Sequence, residues 1–256
     1  MANRMMHGII GLAVALIGLA APAQCQSPAP TQPPTQATDQ RMITDDEAPL
    51  WRAVGRLNIA GNRACTGTLI SPDEVITAAH CLFHPVTRHR AGPGDIRFVA
   101  GFRRDTYAAL VGVSAVVILP GYVYVYVGIE ADLPSIPHDM ALLKLDRAIT
   151  AAEAAPLTVV DWPAGALGVD IVGYGRDRPL MASIRTGCPF LSDELGAKMM
   201  GCDVVPGLSG APAVISDGHD LVALVSTSVG TRVKGREVLI LPVAPRLAIL
   251  RAILSP

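Results

Sequence analysis

At 256 residues, half of them apolar, the chain is long enough to bury a sizeable core, which excludes bulk disorder and suits one two-lobed domain or two small ones. A net charge of −1 with 17% charged residues leaves no electrostatic footprint for nucleic acid and no basic helix for a membrane surface.

Arg4 and His7 precede an apolar run over 8–21 that ends in Ala21-Pro22-Ala23. A short positive region, an apolar core too short to span a bilayer and a small-residue end predict a cleaved signal peptide over 1–23. A secreted or periplasmic protein follows, with no stable membrane insertion once the signal is removed. Residues 24–44 are rich in Pro, Gln and Thr without apolar periodicity, and predict a disordered linker or propeptide.

From Pro49 the texture changes to short apolar runs at 53–58, 65–70, 96–102, 115–119 and 141–145, separated by turn residues such as Gly61-Asn62, Ser71-Pro72-Asp73 and Gly92-Pro93-Gly94. That is all-β punctuation. After a polar and alanine-rich connection near 147–156 the pattern resumes at 169–174, 198–202, 211–215, 221–227 and 238–243, which reads as a second barrel. Leu247, Leu250 and Leu254 then recur at helical spacing with Arg246 and Arg251 between them, so an amphipathic helix over about 244–254 is expected to pack on a barrel wall. Alternating Tyr122-Val-Tyr-Val-Tyr126 reads as a half-buried edge strand or loop.

Three short motifs carry chemistry. Pro206-Gly207-Leu208-Ser209-Gly210-Ala211-Pro212 holds a serine between glycines, where the backbone can reach φ > 0 and the hydroxyl can stand clear of bulky neighbours. The Gly207 and Ser209 amides across such a turn would form a donor pair for a developing oxyanion. Thr77-Ala78-Ala79-His80-Cys81 supplies a histidine at a strand end, and Asp139 stands immediately before the apolar run at 141–145. The order His80, Asp139, Ser209 excludes an α/β-hydrolase, which needs its acid and histidine after the serine and a glycine where Ala211 stands. His84, His89 and His219 lie in polar loop surroundings, and His138 is expected to support the neighbouring acid.

These blocks resemble the chymotrypsin/trypsin-like serine peptidases, closest to their bacterial extracellular, glutamyl-endopeptidase-like branch, over about residues 50–250. The resemblance implies two packed antiparallel six-stranded β-barrels with a C-terminal helix, as one peptidase domain over 45–256. The first barrel would cover about 50–150, the second about 156–243. His80 and Asp139 would come from the first and Ser209 from the second, in a cleft between them. It also implies a secreted serine endopeptidase working through a Ser209-His80-Asp139 triad and an acyl-enzyme, with Gly207 and Ser209 as the oxyanion hole.

Of five cysteines, the resemblance implies that Cys65 and Cys81 are bridged; Cys188 and Cys202 fit a second bridge, and Cys25 is left over. No close Cys or His pair suggests a metal, and no cofactor is expected. The partner is a protein or peptide substrate, and a monomer is expected. Asp203, six positions before Ser209, occupies the spacing of the primary-pocket acid in trypsin-like enzymes. A buried carboxylate there would select Arg or Lys; the other reading is an acid that serves its loop, with small or apolar residues preferred. Ser226 is expected on the strand that pairs with substrate. Leu208 replaces the aspartate that receives a new N-terminal ammonium in animal trypsins, so that activation switch cannot form here. An esterase using the same triad, or an inactive relative serving as a binding module, are the competing readings.

Overall fold

Runs of inward-facing Val, Leu, Ile and Ala close into two antiparallel barrels in a computed structural model that describes residues 40–254 apart from 125, 128–129, 132, 216–218 and 232–233. The expected signal segment, Cys25 and the linker up to residue 39 lie outside the described residues.

The described chain opens with β1 (Gln40–Met42) and enters the first barrel through β2 (Val54–Ile59) and β3 (Arg63–Ser71). These two form a hairpin that turns at Ala60 and Gly61, both at positive φ. β4 (Glu74–Thr77), β5 (Ile96–Ala100) and β6 (Ala109–Ile118) follow. A short excursion holds the two-residue strands β7 (Tyr126–Val127) and β8 (Glu130–Ala131), and β9 (Ala141–Leu145) then completes the ring. The order is β2-β3-β4-β9-β6-β5, closed around Leu57, Leu69, Ile76, Phe98 and Leu142, each wholly buried.

The second barrel is built from β10 (Gly168–Gly173), β11 (Ser183–Glu194), β12 (Ala197–Met200), β13 (Pro212–Ile215), β14 (Leu221–Thr231) and β15 (Lys234–Pro242). Its order β11-β10-β13-β14-β15-β12 is closed by the β11–β12 pairing. β11 is 12 residues long and, on the edge away from β10, serves two partners in turn: Ser183 to Arg185 pair with β1, and Phe190 to Glu194 pair with β12. Helix α1 (Ala244–Leu254) buries Leu247 and Leu250. Arg251 on its outer side reaches Glu74 of the first barrel at 2.6 Å. No helix among the described residues is long and apolar enough to cross a membrane.

Two features differ from the expectation. The stretch 24–44 is not linker to its end: Gln40–Met42 is a strand on β11, and Ile43 is buried. β11 itself was not anticipated, because Gly187, Pro189 and its mixed polar sequence break the two-residue alternation, while backbone pairing on both sides supplies what side-chain pattern does not. Both disulfides form between the expected partners, with Cα–Cα separations of 6.2 Å for Cys65–Cys81 and 5.3 Å for Cys188–Cys202. Closing a loop of this size contributes about 3 kcal/mol in the chain-entropy account.

Candidate active site

β4 and β9 are neighbours with Thr77 opposite Ala141. His80, three residues beyond Thr77, and Asp139, two residues before Ala141, therefore reach the same end of the first barrel. Past Thr77 the chain bends at Ala78 into a single 3-10 turn, Ala79–Leu82. Ala78 and Ala79 are wholly buried, and the Cys81 bridge and the Arg63 guanidinium, which donates to Cys81 O at 3.1 Å and to Phe83 O, hold that turn on β3.

Asp139 is buried and carries three bonds. It accepts the His80 backbone N–H at 2.8 Å, the His80 Nδ1–H at 2.7 Å and the Ser226 hydroxyl at 2.6 Å. Burial alone would raise its pKa, but the charge and hydrogen bond of His80, with the Ser226 and backbone donors, bring it below the usual carboxylate range. Burial likewise acts to lower the His80 pKa, and the Asp139 carboxylate, through charge and hydrogen bond, more than reverses this and raises it. With Asp139 ionised, Nδ1 keeps the proton and Nε2 is the acceptor on a ring that is still 31% exposed. Tyr122 lies in the same field. Burial first, then the Asp139 charge, pushes its phenol pKa upward, so it stays neutral.

The serine turn is shaped by its own sequence. Leu208 N–H donates to Val205 O at 3.2 Å, with Pro206 and Gly207 as the central pair and Gly207 at φ +101, a type II turn in which only glycine is unstrained at the third position. Pro206 O accepts from Arg176 N–H at 2.7 Å and Leu208 O from Ala211 N–H at 2.9 Å. In a planar trans peptide the N–H points opposite to the carbonyl, so the Gly207 and Ser209 amides are turned away from these partners. Neither donates to a protein group among the described residues. Leu208 is wholly buried.

Gly210 marks where the barrels meet. A Cβ there would fall inside 3.0 Å of Thr77 Oγ1, Thr66 O and Ala78 N, so any other residue would push the serine turn off the histidine loop. His80 Nε2 and Ser209 O lie 3.9 and 3.8 Å from the Cys81 sulfur. Ser209 is partly exposed, and its hydroxyl makes no hydrogen bond to His80 among the described residues.

His80, Asp139 and Ser226 are thus joined directly, with Ser209 beside them. The Ser226 hydroxyl is committed to the acid, which leaves its backbone on β14 as the part that could pair with a substrate. Asp203 is exposed, and it acts electrostatically on Arg185, a guanidinium itself buried and bonded to Gln40 at 2.9 Å. An exposed acid near a cation has less to gain from a substrate cation than a buried lone one. His138 packs its ring on Gly121 and makes no hydrogen bond to Asp139 among the described residues, while His84 caps its own loop by accepting from Val86 and Thr87 N–H. Cys65, His80 and Cys81 gather their ligand atoms within 4.8 Å, but the two sulfurs are bonded to each other and offer no thiolate to a metal. Tyr122 and Tyr124 sit in a loop against Phe83, Tyr124 stacked on it at 4.9 Å. Thr66 went unnoticed in the sequence, because nothing about a threonine after a cysteine in a strand announces its partners.

The trypsin family model matches residues 43–248. Among solved structures, a Glu endopeptidase in complex with MPD superposes with a TM-score of 0.68 at 15% identity, covering 87% of this chain and 99% of that one. The protease Anisep from Arthrobacter nicotinovorans gives a TM-score of 0.63 at 16% identity, covering 84% of this chain and 100% of that one.

Proposed function

The chain belongs to the trypsin family and is a serine endopeptidase, and on that premise we propose that Ser209 is its nucleophile, His80 its base and Asp139 the acid that orients the base. The observation that carries this is the doubly bonded His80–Asp139 pair, which leaves Nε2 as an acceptor on the side of the ring that remains open. Ser209 Oγ attacks the acyl carbon as Nε2 takes its proton, and the imidazolium then protonates the leaving amine. The Gly207 and Ser209 amides receive the oxyanion, and water repeats the sequence on the ester. A fluorophosphonate probe is expected to modify the protein at Ser209 alone, with casein hydrolysed as well as a short-chain nitrophenyl ester. Labelling at another residue, or ester turnover without casein turnover, would sink the peptidase assignment.

We further propose export, supported by the signal-like pattern over 1–23 and by two disulfides that need an oxidising compartment. N-terminal sequencing of protein from the medium or periplasm should find residues 1–23 removed; an intact Met1 would refute it.

The exposure of Asp203 and its proximity to the charge of Arg185 favour an acid that serves its loop. On matched peptides ending in Arg, Glu, Leu and Ala, the preference for Arg should stay below about tenfold, or 1.4 kcal/mol. A larger preference would restore Asp203 as the pocket acid.

A further inference from the structure

We infer that Thr66 is a positioning residue for the oxyanion site, holding the nucleophile turn in its working shape from the opposite barrel. Thr66 stands on β3 of the first barrel, is wholly buried, and spends its polar atoms at the junction. Its hydroxyl donates to Gly207 O at 2.9 Å and accepts the Tyr174 N–H at 3.0 Å. Its amide donates to Ser209 O at 3.0 Å, and its carbonyl accepts at 2.8 Å the hydroxyl of Thr77, the last residue of β4 before the chain bends towards His80.

The effect on the turn follows from which peptide each bond fixes. The Gly207–Leu208 peptide is held at both ends, its N–H by Val205 O and its carbonyl by Thr66 Oγ1. The preceding Pro206–Gly207 peptide, which carries one of the two oxyanion amides, has only the Arg176 N–H on its carbonyl. Glycine at φ +101 has no Cβ to resist rotation, so the orientation of that amide depends on the neighbouring peptide being immobile. Thr66 fixes the carbonyl end of that peptide from the opposite barrel. Leu208 fills the core at the position between the two amides and supplies no charge that could do so. A preorganised donor acts on the transition state more than on the ground state, so the loss should appear in kcat.

The inference rests on Ser209 being the nucleophile. The test compares Thr66→Val, which keeps the shape and removes the hydroxyl, with Thr66→Ser, which keeps the hydroxyl. Each is assayed with active sites titrated by a fluorophosphonate. Thr66→Val should lose roughly tenfold to a hundredfold in kcat with little change in KM. Its affinity for a peptide boronic acid should weaken by the same factor, and Thr66→Ser should restore most of both. If Thr66→Val does not yield folded protein, Thr66→Ala carries the same expectation. A titrated kcat within about twofold of wild type in the hydroxyl-free variant overturns the inference, as does Thr66→Ser being as slow as Thr66→Val, which would assign the loss to packing. Wild-type protein that is not labelled at Ser209 refutes the nucleophile itself and takes this inference with it; normal labelling with an unaffected Thr66→Val refutes the role of Thr66 alone.

Discussion

Ser209→Ala is expected to lower turnover by about 10⁶-fold while leaving the unfolding midpoint where it was. The two halves of this expectation have separate causes. Turnover collapses because the covalent route needs the hydroxyl, and what survives is the rate that binding and the oxyanion amides alone support. Stability is spared because the hydroxyl makes no hydrogen bond in the described structure, and the turn is held by backbone groups on Val205, Thr66, Arg176 and Val225. Adding His80→Ala should cost almost nothing further in rate, since the pair acts as a unit. It should cost stability, because Asp139 would be left buried with only Ser226 as a side-chain donor. Turnover on casein and thermal unfolding of the single and double variants check both halves. A single variant that keeps more than about one part in a thousand of wild-type turnover would remove Ser209 from the chemistry.

Asp139→Asn is expected to lower kcat by about 10⁴-fold and to move the acid limb of kcat/KM to lower pH. An amide cannot accept from the His80 N–H, the His80 Nδ1–H and the Ser226 hydroxyl as the carboxylate does, so the ring loses both its orientation and its preferred tautomer. The direction of the pH effect follows from the causes of the His80 shift. Catalysis needs neutral His80, so activity rises as pH passes upward through its pKa. Asp139 is what raises that pKa, and burial is what opposes it. With the charge gone, burial acts unopposed, and the limb should fall below the ordinary histidine value of 6.5. An unmoved limb with near-normal turnover would require another carboxylate. Asp146, beyond the end of β9, is exposed, which makes it a poor substitute.

Much of this was legible in the residues because it depends on near neighbours in sequence. The apolar runs over 141–145 and 169–173 make strands wherever a core awaits them, the leucines of 247–254 make a helix wherever a wall awaits them, and Gly207 and Gly210 are demanded by the φ of a tight turn. The histidine, aspartate and serine blocks each keep their chemistry in a few consecutive residues, so the candidate triad could be named before any fold was known. Partnerships between distant polar groups are different in kind, because a threonine, serine or aspartate has the same donors and acceptors wherever it stands. Only the junction of two closed barrels gives the Thr66 hydroxyl to Gly207, 141 residues away, and the Ser226 hydroxyl to Asp139, 87 residues away. The same long-range closure makes a strand of β11 despite its Gly187 and Pro189, draws Gln40–Met42 into the sheet, and leaves Asp203 in water near Arg185. Local pattern decides which residues can be strand, turn or reactive group; barrel closure decides which polar atoms meet, since most polar groups cut off from water must be bonded to one another.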